Sequence, residues 1–166
     1  KNLFSLGEEP DLPFPPIEQT SNVMTDQQKG DAGEKISRIH LLCEGVSTLE
    51  TNPWEAYDLL AEMHNKFFKI QVKTLTSKDE TLTFNFRRGY HKSVKGCFDY
   101  KESDFDISAC VSLAERRVLF SPGYEKSISW KRHQFRVEGA ESLSWYSAVD
   151  EVLKRRLKRE SSTWVI

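Results

Sequence analysis

Two apolar-rich runs, residues 56–63 and 67–75, are separated only by His64, Asn65 and Lys66. A polar junction that short cannot carry a crossover, so the two runs fold back on each other as an antiparallel hairpin. Side chains alternate along a strand. Within FKIQVK, therefore, Phe68, Ile70 and Val72 share one face, and Lys69, Gln71 and Lys73 share the other. One face of the hairpin is committed to a core and the other carries three polar groups in a row. A loop of two or three residues predicts Asp58 opposite position 72 or 73, with its carboxylate beside Gln71 and Lys73.

Other elements assemble around this hairpin. Thr25 followed by Gln28 has the spacing of a capping box. Ile36, Ile39, Leu42 and Cys43 then recur at helical intervals until Gly45, which predicts a helix over residues 26–43. Residues 82–86 alternate as a third strand, and residues 106–112 and 117–121 flank Ala114 and Glu115 as a second hairpin. Leu143, Tyr146, Val149, Val152, Leu153 and Leu157 recur every three or four residues, so residues 142–159 read as an amphipathic helix. The order is helix, about five strands, helix. It reads as an α/β fold in which a central mixed sheet has the early and the late helix packed on it.

A chain of 166 residues can bury one core without disulfides or structural metals. Residues 8–17, EEPDLPFPPI, are rich in proline and acid, which reads as an extended arm over residues 1–24 preceding a domain at residues 25–166. The arm carries one lysine against four acids, a net of −3, so the remaining 142 residues of a chain with net charge −1 stand at +2. No apolar run approaches the roughly 20 residues that span a bilayer, and no basic-then-apolar export signal opens the chain. Cys43, Cys97 and Cys110 are odd in number and widely spaced, which disfavours a disulfide framework and predicts buried small residues in a reducing, cytoplasmic compartment. There is no glycine-rich phosphate loop, serine elbow or histidine-pair zinc motif.

The polar hairpin face has an evident use. A carboxylate, an amide oxygen and an ammonium at one place suit phosphodiester hydrolysis: oxygen ligands from Asp58 and Gln71 hold a magnesium ion, and Lys73 stabilises the developing charge. Glu34, in the helical GDAGEK, adds a further ligand or orients the attacking water.

The runs KGDAGEKISRIHLL, WEAYDLL and FFKIQVKT, with YKESDFDISACVSLAERRVLFSP downstream, resemble the PD-(D/E)XK nuclease superfamily over residues 29–122. The nearest pattern is that of group I intron-encoded homing endonucleases and their bacterial relatives; Holliday junction resolvases are more distant. The resemblance implies a restriction-endonuclease-like core and places Glu34, Asp58, Gln71 and Lys73 on the active-centre positions. Two departures stand out: Tyr57 precedes the hairpin aspartate where proline is usual, and Gln71 stands where a second acid is usual. The homing branch resembles this chain in using glutamine.

Arg87, Arg88, His91, Lys92 and Lys95, interleaved with Tyr90 and Phe98, read as a DNA-binding loop. Lys154, Arg155, Arg156, Lys158 and Arg159 read either as a phosphate-contacting face or as complements to a helix dipole. The expected partner is double-stranded DNA, cut with Mg²⁺ or Mn²⁺ by a homodimer or homotetramer, since two strands need two active sites. A structure-selective junction or repair nuclease and a catalytically degenerate DNA-binding module are the alternatives.

Overall fold

A computed structural model describes residues 23–52, 54–88 and 98–163. Most of the acidic arm, together with His91, Lys92 and Lys95 of the basic loop, lies outside the described residues.

The first helix, α1 (Asp26–Cys43), begins where its capping box predicts. Thr25 Oγ1 accepts the Gln28 N–H at 3.2 Å, and Gln28 Oε1 accepts the Thr25 N–H at 2.8 Å. Gly45, at φ 74°, turns the chain out of the helix into a short strand, β1 (Ser47–Glu50). Strands β2 (Leu59–Met63) and β3 (Lys66–Leu75) form the expected antiparallel hairpin. Its turn is the two-residue kind, with His64 and Asn65 both left-handed at φ 51° and 59°. A two-residue turn pairs Met63 with Lys66, and continuing that register sets Asp58 level with Gln71. The expected partner, position 72 or 73, is thereby corrected by one or two residues.

The main sheet is completed by β7 (Ile107–Ser112) and β8 (Arg117–Pro122), in the order β1-β2-β3-β7-β8. Only β3 and β7 run parallel, so the sheet is mixed, as expected. The strand at residues 82–86 does not join it. As β4 (Thr81–Asn85) it pairs with β9 (Ser127–Lys131) in a separate two-stranded sheet, and β5 (Arg87–Arg88) pairs with β6 (Phe98–Asp99). A 3-10 helix (Arg132–Arg136) leads to α2 (Ala140–Thr163).

Alternation assigns the layers. Phe68, Ile70, Val72, Ala109, Val111, Val118 and Phe120 point to one face, where Leu41 of α1 and Trp145, Val149 and Val152 of α2 join them in a single core cluster. Trp145 is fully buried and stands edge-on to Phe68 and Phe120, with ring centroids 6.2 and 5.2 Å away. Cys110 and Leu119 point to the opposite face and meet Leu82, Phe84, Phe86, Ile128 and Phe135 of the small β-layer. Both helices thus cover one face and the β4–β9 pair covers the other. Cys110 is buried as expected, but Cys43, in the last turn of α1, is exposed, and Cys97 lies outside the described residues.

Candidate active site

The hairpin holds together only part of the way. Residues Lys66 to Ile70 of β3 pair with β2, whereas Ile70 to Leu75 pair with β7. Beyond Ile70 the sheet opens between β2 and β3, leaving a notch into which the main-chain groups of Val72 project. Asp58, immediately before β2, sits at its apex. Its N–H donates to Ile70 O at 2.9 Å, the last main-chain bond before the strands part. Its carboxylate takes over from there: Oδ2 accepts the Val72 N–H at 2.7 Å and the Gln71 Nε2 at 2.6 Å. Thr51 fixes the preceding loop, donating its N–H to Asp58 O at 3.2 Å and its hydroxyl to Tyr57 O.

Gln71 and Lys73 share the strand face that also carries Leu75, as alternation predicts. Gln71 is buried at 5 % exposure, and its amide nitrogen reaches Val72 O at 3.3 Å as well as Asp58. Lys73 Nζ donates to Arg87 O at 3.3 Å and lies 5.9 Å from the Tyr100 ring centroid. The start of the basic loop therefore abuts this lysine. Lys69 stands over the Tyr57 ring, 5.4 Å from its centroid.

Glu34 arrives from α1. Gly33 lets the helix approach so closely that a Cβ there would lie 1.9 Å from Thr74 Oγ1 on β3. The neighbouring Glu34 is thereby brought into the electrostatic range of Asp58. Burial pushes the Glu34 carboxyl up to about 7, and the Asp58, Asp31 and Glu50 carboxylates add to the rise. Asp58 is also raised, because burial outweighs the Val72 N–H and the Lys73 charge. Two carboxyl groups that both resist ionisation, although Lys35 acts on Glu34 and Lys73 on Asp58, form a site short of positive charge.

Among the described residues, no three His, Cys, Asp or Glu side chains are grouped so as to hold a metal. The donors gathered at the notch are instead mixed: the Asp58 carboxylate, the Val72 carbonyl and the Gln71 amide. All-oxygen sets of this kind suit hard cations such as magnesium or manganese. The Gln71 amide nitrogen occupies the position between Asp58 Oδ2 and Val72 O, where positive charge is wanted. Turned over, the same amide would aim its oxygen at those two oxygens, an arrangement that only a cation between them makes favourable. The residues therefore fit a divalent ion.

The remaining basic residues divide. Arg87 pairs with Asp99 at 3.5 Å. On α2, Lys154, Arg155, Arg156 and Arg159 each face an acid: Asp150, Glu151, Asp106 and Glu102 in turn. That helix face is largely neutralised. Val72 and Thr51 had no signal in the sequence pattern, since the first acts through its main chain and the second through a loop contact.

A mixed five-stranded sheet with both helices on one face is consistent with a restriction-endonuclease-like fold. The PD-(D/E)XK endonuclease family model matches residues 24–148, and the chain belongs to that family. The solved structure of the bacterial homing endonuclease I-Ssp6803I is similar in fold, with a TM-score of 0.61 at 17% identity, covering 80% of this chain and 99% of that one. No curated protein matches the chain significantly. Membership of the family supports nuclease activity, of a kind that generally uses divalent metal ions. No helix among the described residues is long and apolar enough to cross a membrane.

Proposed function

We propose that the chain is a magnesium-dependent endodeoxyribonuclease of double-stranded DNA, with manganese as a substitute ion. We further propose that Glu34, Asp58, Gln71 and Lys73 form its active centre, within a nuclease domain at residues 25–166. The observation that carries this reading is the Asp58 carboxylate, bound to both Gln71 and the Val72 N–H at the point where β2 and β3 separate.

Asp58 and Gln71, with the Val72 carbonyl, would hold the ion. When bound, it supplies Lewis acidity toward the phosphate and lowers the pKa of an attacking water. Lys73, anchored at Arg87 O and beside Tyr100, presents its ammonium to the phosphate oxygens and stabilises the charge that develops there. Glu34, with a carboxyl near neutrality, is matched to accept the proton that the water releases at its Oε atoms. The basic loop, with Arg87, Arg88, His91, Lys92 and Lys95, would contact the DNA backbone. Cutting both strands calls for two such centres, hence a homodimer or homotetramer.

The test is cleavage of a mixed pool of linear duplex and four-way junction DNA with magnesium or manganese, comparing the native chain with Asp58→Ala and Lys73→Ala. Metal-dependent products, reduced by either substitution by about 10²-fold or more, support the reading. Preference for the branched substrate would redirect it to a structure-selective nuclease. A second reading has one observation in its favour: the Gln71 amide nitrogen already satisfies the two oxygens that a metal would take. If neither ion gives products while DNA is still bound, the chain is a binding module derived from a nuclease.

A further inference from the structure

The polar face of β3 carries Lys69 as well as Gln71 and Lys73, and the proposed active centre leaves Lys69 unused. At about 3.3 Å per residue, Lys69 and Lys73 stand about 6.6 Å to either side of Gln71 along the strand. Asp106, immediately before β7, fixes the half-buried Lys69 through its main chain. The Asp106 N–H donates to Lys69 O at 2.8 Å, and Asp106 Oδ2 accepts the Lys69 N–H at 2.9 Å. That carboxylate does not neutralise the lysine. Its Oδ1 pairs with Arg156 of α2 at 2.9 Å, and among the described residues the Lys69 ammonium forms no ion pair. The ammonium lies instead 5.4 Å from the centroid of the ring of Tyr57, the residue before Asp58. Tyr57 is itself held, because it packs against the buried cluster of Leu82 and Phe84 and its carbonyl accepts the Thr51 hydroxyl. A cation over an aromatic face is kept in place with its charge intact toward a third group, whereas an ion pair would cancel that charge.

We propose that Lys69 binds a DNA backbone phosphate adjoining the one that is cut, on the side of Gln71 away from Lys73. This assignment rests on the reading of Asp58, Gln71 and Lys73 as a nuclease centre. Phosphates recur at every nucleotide, so a DNA strand running along β3 with one phosphate between Gln71 and Lys73 carries the next toward Lys69. Lys73 then acts on the phosphate being cut, and Lys69 sets where along the strand that phosphate stops. Such a contact positions the substrate and reads no base.

The test is equilibrium binding of a labelled linear duplex by the full chain without metal, over a series of salt concentrations. Each neutralised phosphate contributes about 0.9 to the slope of log affinity against log salt. Lys69→Met should therefore lessen the slope by about 0.9, so that a fourfold rise in salt costs the native chain about threefold more affinity than the variant. Lys69→Arg, which keeps the charge, should keep the native slope. The cut position is then read from the products formed with magnesium, and a neutral methylphosphonate replaces each adjoining phosphate in turn. At one of the two positions it should weaken binding by the native chain and leave Lys69→Met unaffected. Equal slopes for the native chain and Lys69→Met, in a chain that does cut DNA, would overturn this assignment alone. So would methylphosphonate effects that are the same in both chains at both positions. A duplex bound but never cut would overturn the nuclease centre and this assignment with it.

Discussion

The closeness of α1 to β3 can be put to a quantitative test at Gly33. An alanine there would set its methyl 1.9 Å from Thr74 Oγ1 and 3.1 and 3.2 Å from Thr74 Cβ and Cγ2, all inside the roughly 3.5 Å of ordinary carbon contact. The helix must retreat or Thr74 must turn, and overpacking of this kind costs about 1–3 kcal/mol. Against that, alanine favours the helix interior over glycine by about 1 kcal/mol. Gly33→Ala should therefore lose up to about 2 kcal/mol. Thr74 Oγ1 is itself buried without a hydrogen-bond partner, so Thr74→Ala removes an unsatisfied hydroxyl as well as a methyl and should be close to neutral. In the double variant the Oγ1 and Cγ2 contacts are gone and only the 3.1 Å approach to the Cβ of residue 74 is left, which predicts a chain up to about 1 kcal/mol more stable than Thr74→Ala alone. The coupling between the two sites is then up to about 3 kcal/mol, measurable by urea unfolding of all four chains. Additive effects would refute the close approach and with it the placement of Glu34.

Two further outcomes follow from the site. The Glu34 carboxyl is raised to about 7 in the folded protein from an ordinary 4.5, so the folded state favours its protonated form. Its stabilising contribution is complete below pH 4.5 and is lost as the pH rises through about 7. The full shift would amount to about 3 kcal/mol, which half-exposure to solvent reduces to about 1–2 kcal/mol. Without metal, Glu34→Gln should exceed the native chain by that amount at pH 8 and match it at pH 4, and urea midpoints that do not diverge with pH would sink this account. Gln71→Glu replaces the amide that donates to Asp58 with a second carboxylate, so it should lower metal-free stability by about 1–3 kcal/mol and tighten magnesium binding at least about tenfold. Thermal melts and isothermal titration with magnesium check both, and weaker binding would remove Gln71 from the ligand set.

Local chemistry made much of this legible. The capping pair Thr25 and Gln28 located the start of α1, and alternation within FKIQVK put Gln71 and Lys73 on one face. What escaped was long-range. Strand β4 finds its partner about 45 residues later in β9, whose SISWK was masked by the neighbouring basic residues, and no periodicity within either strand specifies the other. The four-residue β1 is too short and too exposed to leave a pattern. Register slipped because it depends on the turn, and only the left-handed conformations of His64 and Asn65 together fix a two-residue loop. Asp58 was found as a side chain, but its attachment to the Val72 N–H belongs to a place where pairing stops, and sequence patterns report where pairing occurs.

That interruption makes the site a withheld ladder. Strand β3 changes neighbours at Ile70, and one carboxylate answers the first main-chain donor left over. The opening is thus governed by how far β2 extends, a matter of a residue or two ahead of Leu59. A variant whose preceding loop were shortened so that residues 56–58 could continue the strand would gain hydrogen bonds and zip the notch shut. Selection for stability alone would favour such a closed sheet, so the open notch has to be maintained against it.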